Sequence, residues 1–582
     1  MTYNKFTHTH GARPSLLRPS RAEFGLMLLA AAGYFLAFPN PLAQIPPMAL
    51  LMPACILWLS LTQSSRTKAL FQSFLCLFAG SSLALYWLAI PMREFAGVPW
   101  PLAACFVMLL GVYIGLYGAA FSLLLRFLTR YLGLWLGLAA SALGWGALEL
   151  VRGWFLTGFP WLSLSSSFVG WPIMAQGSAL FGMYSYSAVY AFIALLLAAP
   201  VMPGFLNAPT LLAGSSRFIG STQTSLKDNR LLLLYRRLSF IIPALAIFGA
   251  LLAYGSERLD EDWNAKGPQK IVVMSQGNIA QSLKWDQDMR ALTIRRYLSL
   301  SEQAVGLAVE EFQRSPDLMI WPETAMPFPF QPGPDSFGSG MSAELSRPVR
   351  AFAQAHGVPL LFGAQAVEFA NGEERAYNRV WLLDENGSAA GSYDKEHLVP
   401  FGEYIPPGLY VPFASEFLQG TGFTPGSGTP EALRTGVFTL GLLICYEVIF
   451  PELAQTRVAG DTDSAGANLL VSVSNDAWFG KSSAPMQHLQ LAAQRCIEQG
   501  RYMARATNTG VSAIIDPSGR IIHPSPLFKS WAQAEQVTLL EERTFYHRNY
   551  RAMTTGLLAL AAGMIVLAAL KALLEPRKKP RI

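Results

Sequence analysis

Charge is scarce in this chain. Asp, Glu, Lys and Arg make up 14% of its 582 residues, against about 25% in ordinary soluble proteins. Together with 52% hydrophobic residues, that excludes intrinsic disorder. It also excludes a plain string of soluble domains, which the length alone would suggest. Cysteine is rare too. Of five, Cys55, Cys76 and Cys105 lie in apolar segments, and Cys445 and Cys496 in the polar region form no CxxC pair. Neither a zinc site nor a disulfide framework is indicated. The net charge is +6, but no basic helix is interleaved with stacking aromatics, so nucleic acid is not an expected partner. No repeat or low-complexity tract is evident. What remains is a membrane protein with substantial water-facing mass.

Seven apolar segments, roughly 24–38, 47–63, 69–91, 100–125, 132–151, 179–200 and 239–255, precede the polar region, and one, roughly 555–574, follows it. A span needs about 20 helical residues, so the first two require flanking residues to cross. The first also resembles a signal-peptide core behind Arg13, Arg18 and Arg21, and a retained anchor is the favoured reading. Counted by alternate loops, one side carries 18 Lys and Arg, and the other only Arg93 and Arg152. The positive excess marks the cytoplasmic side. Both termini are then cytoplasmic, and the polar region lies on the outer face, periplasmic in a Gram-negative cell. The expected division is a tail 1–23, a seven-helix membrane domain 24–256, an outer domain 257–554, a last membrane helix 555–574 and a basic tail 575–582. The apolar loop Gly153–Trp171 reads either as an interfacial aromatic belt or as a lipid-facing surface guiding an acyl chain.

From Lys270 onward the pattern changes to short β-branched runs separated by amphipathic stretches. Strands are expected at Ile271–Met274, Asp317–Trp321, Val358–Ala364, Arg379–Leu383, Val437–Ile444 and Asn468–Val473, with a hairpin at Val511–Ile515 and Arg520–Ile522. Helices are expected at Met289–Phe312, Ser342–His356 and Gln487–Gln499. This alternation implies a layered α/β domain.

Three segments place a reactive side chain beside an apolar strand: Trp321-Pro322-Glu323, Tyr393-Asp394-Lys395 and Cys445-Tyr446-Glu447. A thiol needs a base to become a nucleophile, and acyl transfer needs positive charge at the developing oxyanion. Glu, Lys and Cys supply both. His397 and His488 are weaker candidates for the base, neither having an acidic neighbour at an informative spacing. Taken singly, each residue has a plainer account: packing for Cys445, loop solvation for Glu323, a surface ion pair for Lys395.

The strings WPET (321–324), YDKEHLVPFGEY (393–404), ICYE (444–447) and SNDAWFG (474–480) resemble the carbon–nitrogen hydrolase (nitrilase) superfamily. With QGNI (276–279), QSLKWD (281–286), RATNTGVSA (505–513) and the apolar segments, residues 23–574 resemble the bacterial apolipoprotein N-acyltransferases. The resemblance implies about eight transmembrane helices plus an α/β nitrilase-like αββα sandwich. It implies Glu323 as general base, Lys395 as oxyanion stabiliser and Cys445 as nucleophile, braced by Glu403. Tyr446 and Glu447 would shape the site, and Trp285 and Trp478 its rim, although simple packing also accounts for the two tryptophans. The implied activity moves a fatty acyl chain from a glycerophospholipid, through a cysteine thioester, to the α-amine of S-diacylglyceryl-cysteine apolipoproteins. That is the last step of lipoprotein maturation, and it needs no metal or organic cofactor. A tethered amidase and a lipid transporter with a degenerate outer domain are the rivals. The number of spans argues against the first, and the intact triad against the second.

Overall fold

The computed structural model describes residues 19–202, 226–330, 340–370, 372–404, 422–426, 432–460 and 466–575. Both expected tails, apart from residues 19–23 and 575, and residues 203–225 of the expected membrane domain lie outside the described residues.

Among the described residues, five helices are long and apolar enough to cross a membrane: Trp100–Leu132, Leu134–Arg152, Ser178–Val201, Leu231–Leu259 and Tyr550–Leu574. The pair Arg66–Ala84 and Tyr86–Glu94 makes a sixth if its 57° bend is counted within one span. Arg21–Ala37 and Pro46–Thr62 are apolar but shorter. Small residues bring two of these helices close. A Cβ at Gly111, Gly115 or Gly118 would lie 2.1 Å from Ser82, 2.8 Å from Phe74 or 2.5 Å from the Ser73 carbonyl. Spaced four and three residues apart, these glycines share one face, as close membrane-helix packing requires. A third helix, Arg21–Ala37, is tied to Arg66–Ala84 at its start, where Glu23 completes a capping box with Ser20 and pairs with Lys68 at 2.7 Å.

The polar region forms two sheets. One contains β1 (Gln269–Gln276), β2 (Leu318–Ile320), β3 (Met326–Pro329), β4 (Leu360–Ala370), β5 (Glu373–Leu383), β6 (Ala389–Asp394) and β13 (Trp531–Thr538), in the order β13-β1-β2-β4-β5-β6 with β3 beside β4. The other contains β7 (Leu433–Thr435), β8 (Phe438–Ile444), β9 (Leu469–Ser474), β10 (Met503–Thr507), β11 (Ala513–Ile515) and β12 (Ile521–Ile522), in the order β12-β11-β10-β9-β8-β7. The parallel centre of each sheet is flanked by antiparallel strands. Period-two alternation assigns the faces. Val272 and Met274 of β1 pack inward with Leu440, Leu442 and Val471, while Ile271 and Val273 pack outward with helix Arg290–Phe312. The expected strands and helices are present within a few residues.

The outer helix layer of the second sheet is unusual. Helix Ala484–Gln499 is buried at every position except Met486, although it carries Gln487, His488, Gln490, Gln494, Arg495, Glu498 and Gln499. It lies between that sheet and the membrane helices, in one core with both. Several of its buried polar groups find partners across this boundary. The Gln487 amide oxygen accepts from the indoles of Trp87 (3.2 Å) and Trp161 (2.9 Å), and its nitrogen donates to the carbonyls of Pro39 and Ala84. The backbone N–H of Met183 donates to Glu498. The loop Gly153–Trp171 divides accordingly: Trp161, Leu162 and Phe168 are buried, and only its Trp154-Phe155-Leu156 tip presents large apolar side chains outward.

Gln487→Leu strands two buried indole donors. At about 1–3 kcal/mol for an unsatisfied buried group, it should lower the melting temperature of the detergent-solubilised protein by several degrees. A melting curve unchanged from wild type would show that these bonds contribute nothing net.

Candidate active site

The reactive side chains collect where strands end, the usual ligand face of parallel sheets. β2 runs out into Trp321-Pro322-Glu323, β6 into Lys395, β8 into Cys445 and β9 into Asn475. The backbone there is tightly constrained. Thr324 and Cys445 have φ of +46° and +51°, a left-handed conformation that non-glycine residues hold only under surrounding constraint. β4 passes so close to Glu323 that a Cβ on Gly363 would lie 2.7 Å from its Cα and 2.4 Å from the Thr324 nitrogen.

Glu323, Lys395 and Cys445 are all buried. The Lys395 ammonium lies 2.8 Å from Glu403 and 3.7 Å from Glu323. Asn378 donates to both carboxylates, at 2.7 Å to Glu323 and 3.0 Å to Glu403. The Asn475 backbone N–H caps the second Glu323 oxygen at 2.8 Å, and the Val399 N–H caps Glu403. One ammonium therefore serves two oriented carboxylates. Burial alone would lower the Lys395 pKa, but Glu403 and Glu323 outweigh it and raise the group above its ordinary range. Burial, and then the Glu323 charge, push the Cys445 thiol up to about 12 despite Lys395. At rest Cys445 is a thiol.

Glu447 clamps the framework. Its carboxylate accepts from the Tyr393 hydroxyl and from the backbone N–H groups of Glu396, His397 and Ile444, so one buried side chain ties the ends of β6 and β8 together. The Tyr446 hydroxyl donates to the Gly158 carbonyl of the membrane-side loop. Trp285 is partly exposed, and Trp478 packs edge-on against Phe95 of the membrane part at 4.9 Å. Glu323, Lys395, Glu403 and Cys445 thus form one cluster flanked by Tyr446 and Glu447, while the observed ring contact of Trp478 is with the membrane part.

Several groups escape a reading of the sequence. Asn378 sits in a strand with no motif around it. Lys284, inside QSLKWD, is buried and donates to the Glu323 carbonyl at 3.3 Å. Burial lowers its pKa to about 7 against the pull of Glu323 and Cys445. His488 does have an acidic neighbour, contrary to expectation: Asp476, twelve positions upstream, is 3.1 Å from Nδ1. Arg505 donates to both Asp476 and His488 Nδ1 at 3.0 Å. Because a carbonyl only accepts, the contact of His488 Nε2 with the Cys445 carbonyl at 3.0 Å assigns the ring proton to Nε2. Burial and Arg505 hold this imidazole below its ordinary pKa, so it props the Cys445 backbone as a neutral donor. Among the described residues no group of three or more His, Cys, Asp or Glu side chains is disposed to hold a metal.

The Lys284 environment gives a pH-dependent stability. Its pKa is about 7 when folded and near 10.5 ordinarily. Between those values the unfolded chain binds the extra proton, so stability rises with pH across that window, and the penalty is full below it. Lys284→Met removes the penalty, so its gain in melting temperature over wild type should be larger near about pH 6 than near about pH 9. Equal gains at both would contradict the buried-ammonium account.

Residues 274–535 match the family described as "Carbon-nitrogen hydrolase", and residues 30–196 the one described as "Apolipoprotein N-acyltransferase N-terminal domain". The apolipoprotein N-acyltransferase of Geobacter metallireducens is 32% identical over 552 residues, covering 94% of this chain and 95% of that protein. Its counterpart from Azotobacter vinelandii is 33% identical over 559 residues, covering 93% and 95%. Among solved structures, a carbon–nitrogen hydrolase from Helicobacter pylori G27 is 20% identical with a TM-score of 0.34, covering 49% of this chain and 94% of that one. With identity sustained over nearly its whole length, through membrane helices and nitrilase-like sandwich alike, the chain belongs to the apolipoprotein N-acyltransferase family.

Proposed function

We propose that the protein transfers a fatty acyl chain from a membrane glycerophospholipid to the α-amine of the N-terminal S-diacylglyceryl-cysteine of lipoproteins. In this reading eight helices cross the bacterial inner membrane, seven within 24–256 and one at 555–574. The domain 257–554 faces the periplasm, and both termini are cytoplasmic. The observation that carries the reading is the buried Cys445 thiol among Glu323, Lys395 and Glu403, in a domain whose second helix layer is embedded against membrane helices. Both substrates are lipids, and such a site meets them at the bilayer.

The steps follow from the charges. Glu323 takes the Cys445 proton as sulfur attacks the ester carbonyl, since a thiol with a pKa near 12 loses its proton only to a base in place. Lys395, already fully charged, holds the oxyanion. Collapse expels the lysophospholipid alkoxide, which recovers the proton from Glu323 and leaves a thioester. The lipoprotein amine then attacks the thioester, Glu323 accepts its proton, and the thiolate leaves and is reprotonated. Glu403 and Asn378 hold Lys395 and Glu323 in register, and Glu447 fixes the two strand ends. Tyr446, Trp285 and Trp478 shape the approach. No step calls for a cofactor.

Incubation with phospholipid alone should add one fatty-acyl mass to Cys445, labile to neutral hydroxylamine and discharged to amide by a diacylated lipopeptide. Cys445→Ala should carry no adduct, and Cys496→Ala should load normally. In Glu323→Gln the side-chain amide must turn its NH2 toward Asn378 or Asn475, both donors, so acyl-enzyme formation should fall by roughly 10²–10⁴-fold. An adduct surviving Cys445→Ala would remove the thioester scheme. For the topology, a membrane-impermeant maleimide on intact cells should label Asn386→Cys and spare Ser64→Cys; equal labelling would reverse that assignment.

A further inference from the structure

A cavity of about 220 Å³ lies away from the triad, where the end of helix Leu231–Leu259 and the short helix Phe545–Arg548, which leads into Tyr550–Leu574, meet the sandwich. Its wall contains four cations, Arg258, Lys266, Arg543 and Arg548, and two carboxylates, Glu261 and Glu542. The carboxylates are already engaged: Glu261 lies 3.5 Å from Arg258 and 3.3 Å from Lys266, and Glu542 lies 3.9 Å from Lys266. Arg543 donates to the Ala459 carbonyl, and among the described residues neither Arg543 nor Arg548 has a carboxylate partner. Two positive charges are therefore in excess.

The unsatisfied groups in this wall are donors as well. Trp263 is 7% exposed, and its indole N–H is buried with no acceptor among the described residues; the Nε–H of Arg258 is in the same state. The Arg258 guanidinium (4.8 Å) and the Lys266 ammonium (4.4 Å) both lie over the Trp263 ring, which holds both cations at the wall. Buried donors without acceptors are costly, and here they stand beside uncompensated charge. The surplus charge is felt nearby: burial, then Arg543 and Arg501, lower the His547 imidazole to about 4.

We propose that this cavity is a second binding site, one for a phosphate group. Phosphate offers several acceptor oxygens and no obligatory donor, the complement of two orphaned N–H groups and two guanidinium groups that lack a carboxylate partner among the described residues. The source that fits its place is a phospholipid headgroup, because the cavity lies at the ends of two apolar helices with Trp and Arg at the rim, as interfacial headgroup sites do. The lipid source rests on the membrane reading above; the phosphate site itself does not.

The test uses full-length protein carrying Cys445→Ala, so that no lipid is consumed, in neutral detergent stripped of phospholipid. Binding is followed by melting temperature and native mass spectrometry with phosphatidylglycerol, diacylglycerol of the same chains, or inorganic phosphate. Phosphatidylglycerol should bind and stabilise, and diacylglycerol should not. The exposed pair Lys266→Gln/Arg548→Gln should weaken phosphatidylglycerol binding about tenfold or more, the loss expected for a charge-assisted contact. The charge-conserving pair Lys266→Arg/Arg548→Lys should restore it, which separates binding from folding. Any lipid held in the catalytic pocket is common to all three proteins and cancels in the comparison. Equal affinity in the Gln pair would overturn the site. Inorganic phosphate binding as tightly as the lipid would overturn the lipid source. Failure of the acyl-transfer reading leaves this result untouched, because it is read as binding in a protein without the thiol.

Discussion

One buried ammonium shared by two carboxylates is the constraint around which the catalytic pocket is built. Lys395 cannot be removed from water without a counter-charge, and Glu403 supplies it at 2.8 Å. Glu323, at 3.7 Å, is left as the second carboxylate, with one oxygen turned to Asn378 and the other to the Asn475 backbone. In the proposed reaction, Glu403 is the counter-ion that leaves Glu323 available as the base. The strain at Cys445 and the close approach of Gly363 are consequences: four strand ends must converge for these groups to meet.

The same reasoning explains why membrane part and sandwich share a core. Helix Ala484–Gln499 has the composition of a surface helix and the burial of a central one. Its amides, Arg495 and Glu498 bind partners on the membrane side, whereas His488, on the same helix, reaches the Cys445 carbonyl. The Trp161 ring from the membrane-side loop stacks on His488 at 5.6 Å. Groups behind Cys445 are therefore positioned partly by residues 300 positions away or more, and the sandwich does not carry a complete support for Cys445 on its own.

How much of this was legible in the sequence follows from where the information resides. Strand and helix periodicity are local, so β1, β8, β9 and helix Arg290–Phe312 could be read from residue spacing. Glu323, Lys395, Glu403 and Cys445 could be located through motif strings, and their convergence follows from strand ends meeting at one sheet edge. Asn378, Lys284 and the Asp476–His488–Arg505 network could not, because their significance lies in contacts across 12 to 55 positions. An Asn on a strand or a Lys after a Leu carries no mark of its eventual neighbours. Helix Ala484–Gln499 illustrates the limit most clearly, since polarity predicts exposure unless the partner surface is known. The first two apolar segments are legible as apolar and remain shorter than a full span, so length alone does not decide whether they cross.

The resting state of the thiol bears on the order of events in the proposed reaction. A low-pKa thiolate would be competent before any lipid arrived, and would be open to oxidation. Here burial and the Glu323 charge keep Cys445 protonated, so its activation depends on attack and proton transfer occurring together with the ester in place. In that reaction the same burial would shield the thioester afterwards, because water must enter a buried pocket that contacts the membrane-side loop through Tyr446 to hydrolyse it. An amine presented from a lipid-anchored lipoprotein reaches that pocket along the bilayer instead. Selectivity for amine over water then follows from the route of approach, and the membrane helices contribute to it by walling the site as well as by anchoring it.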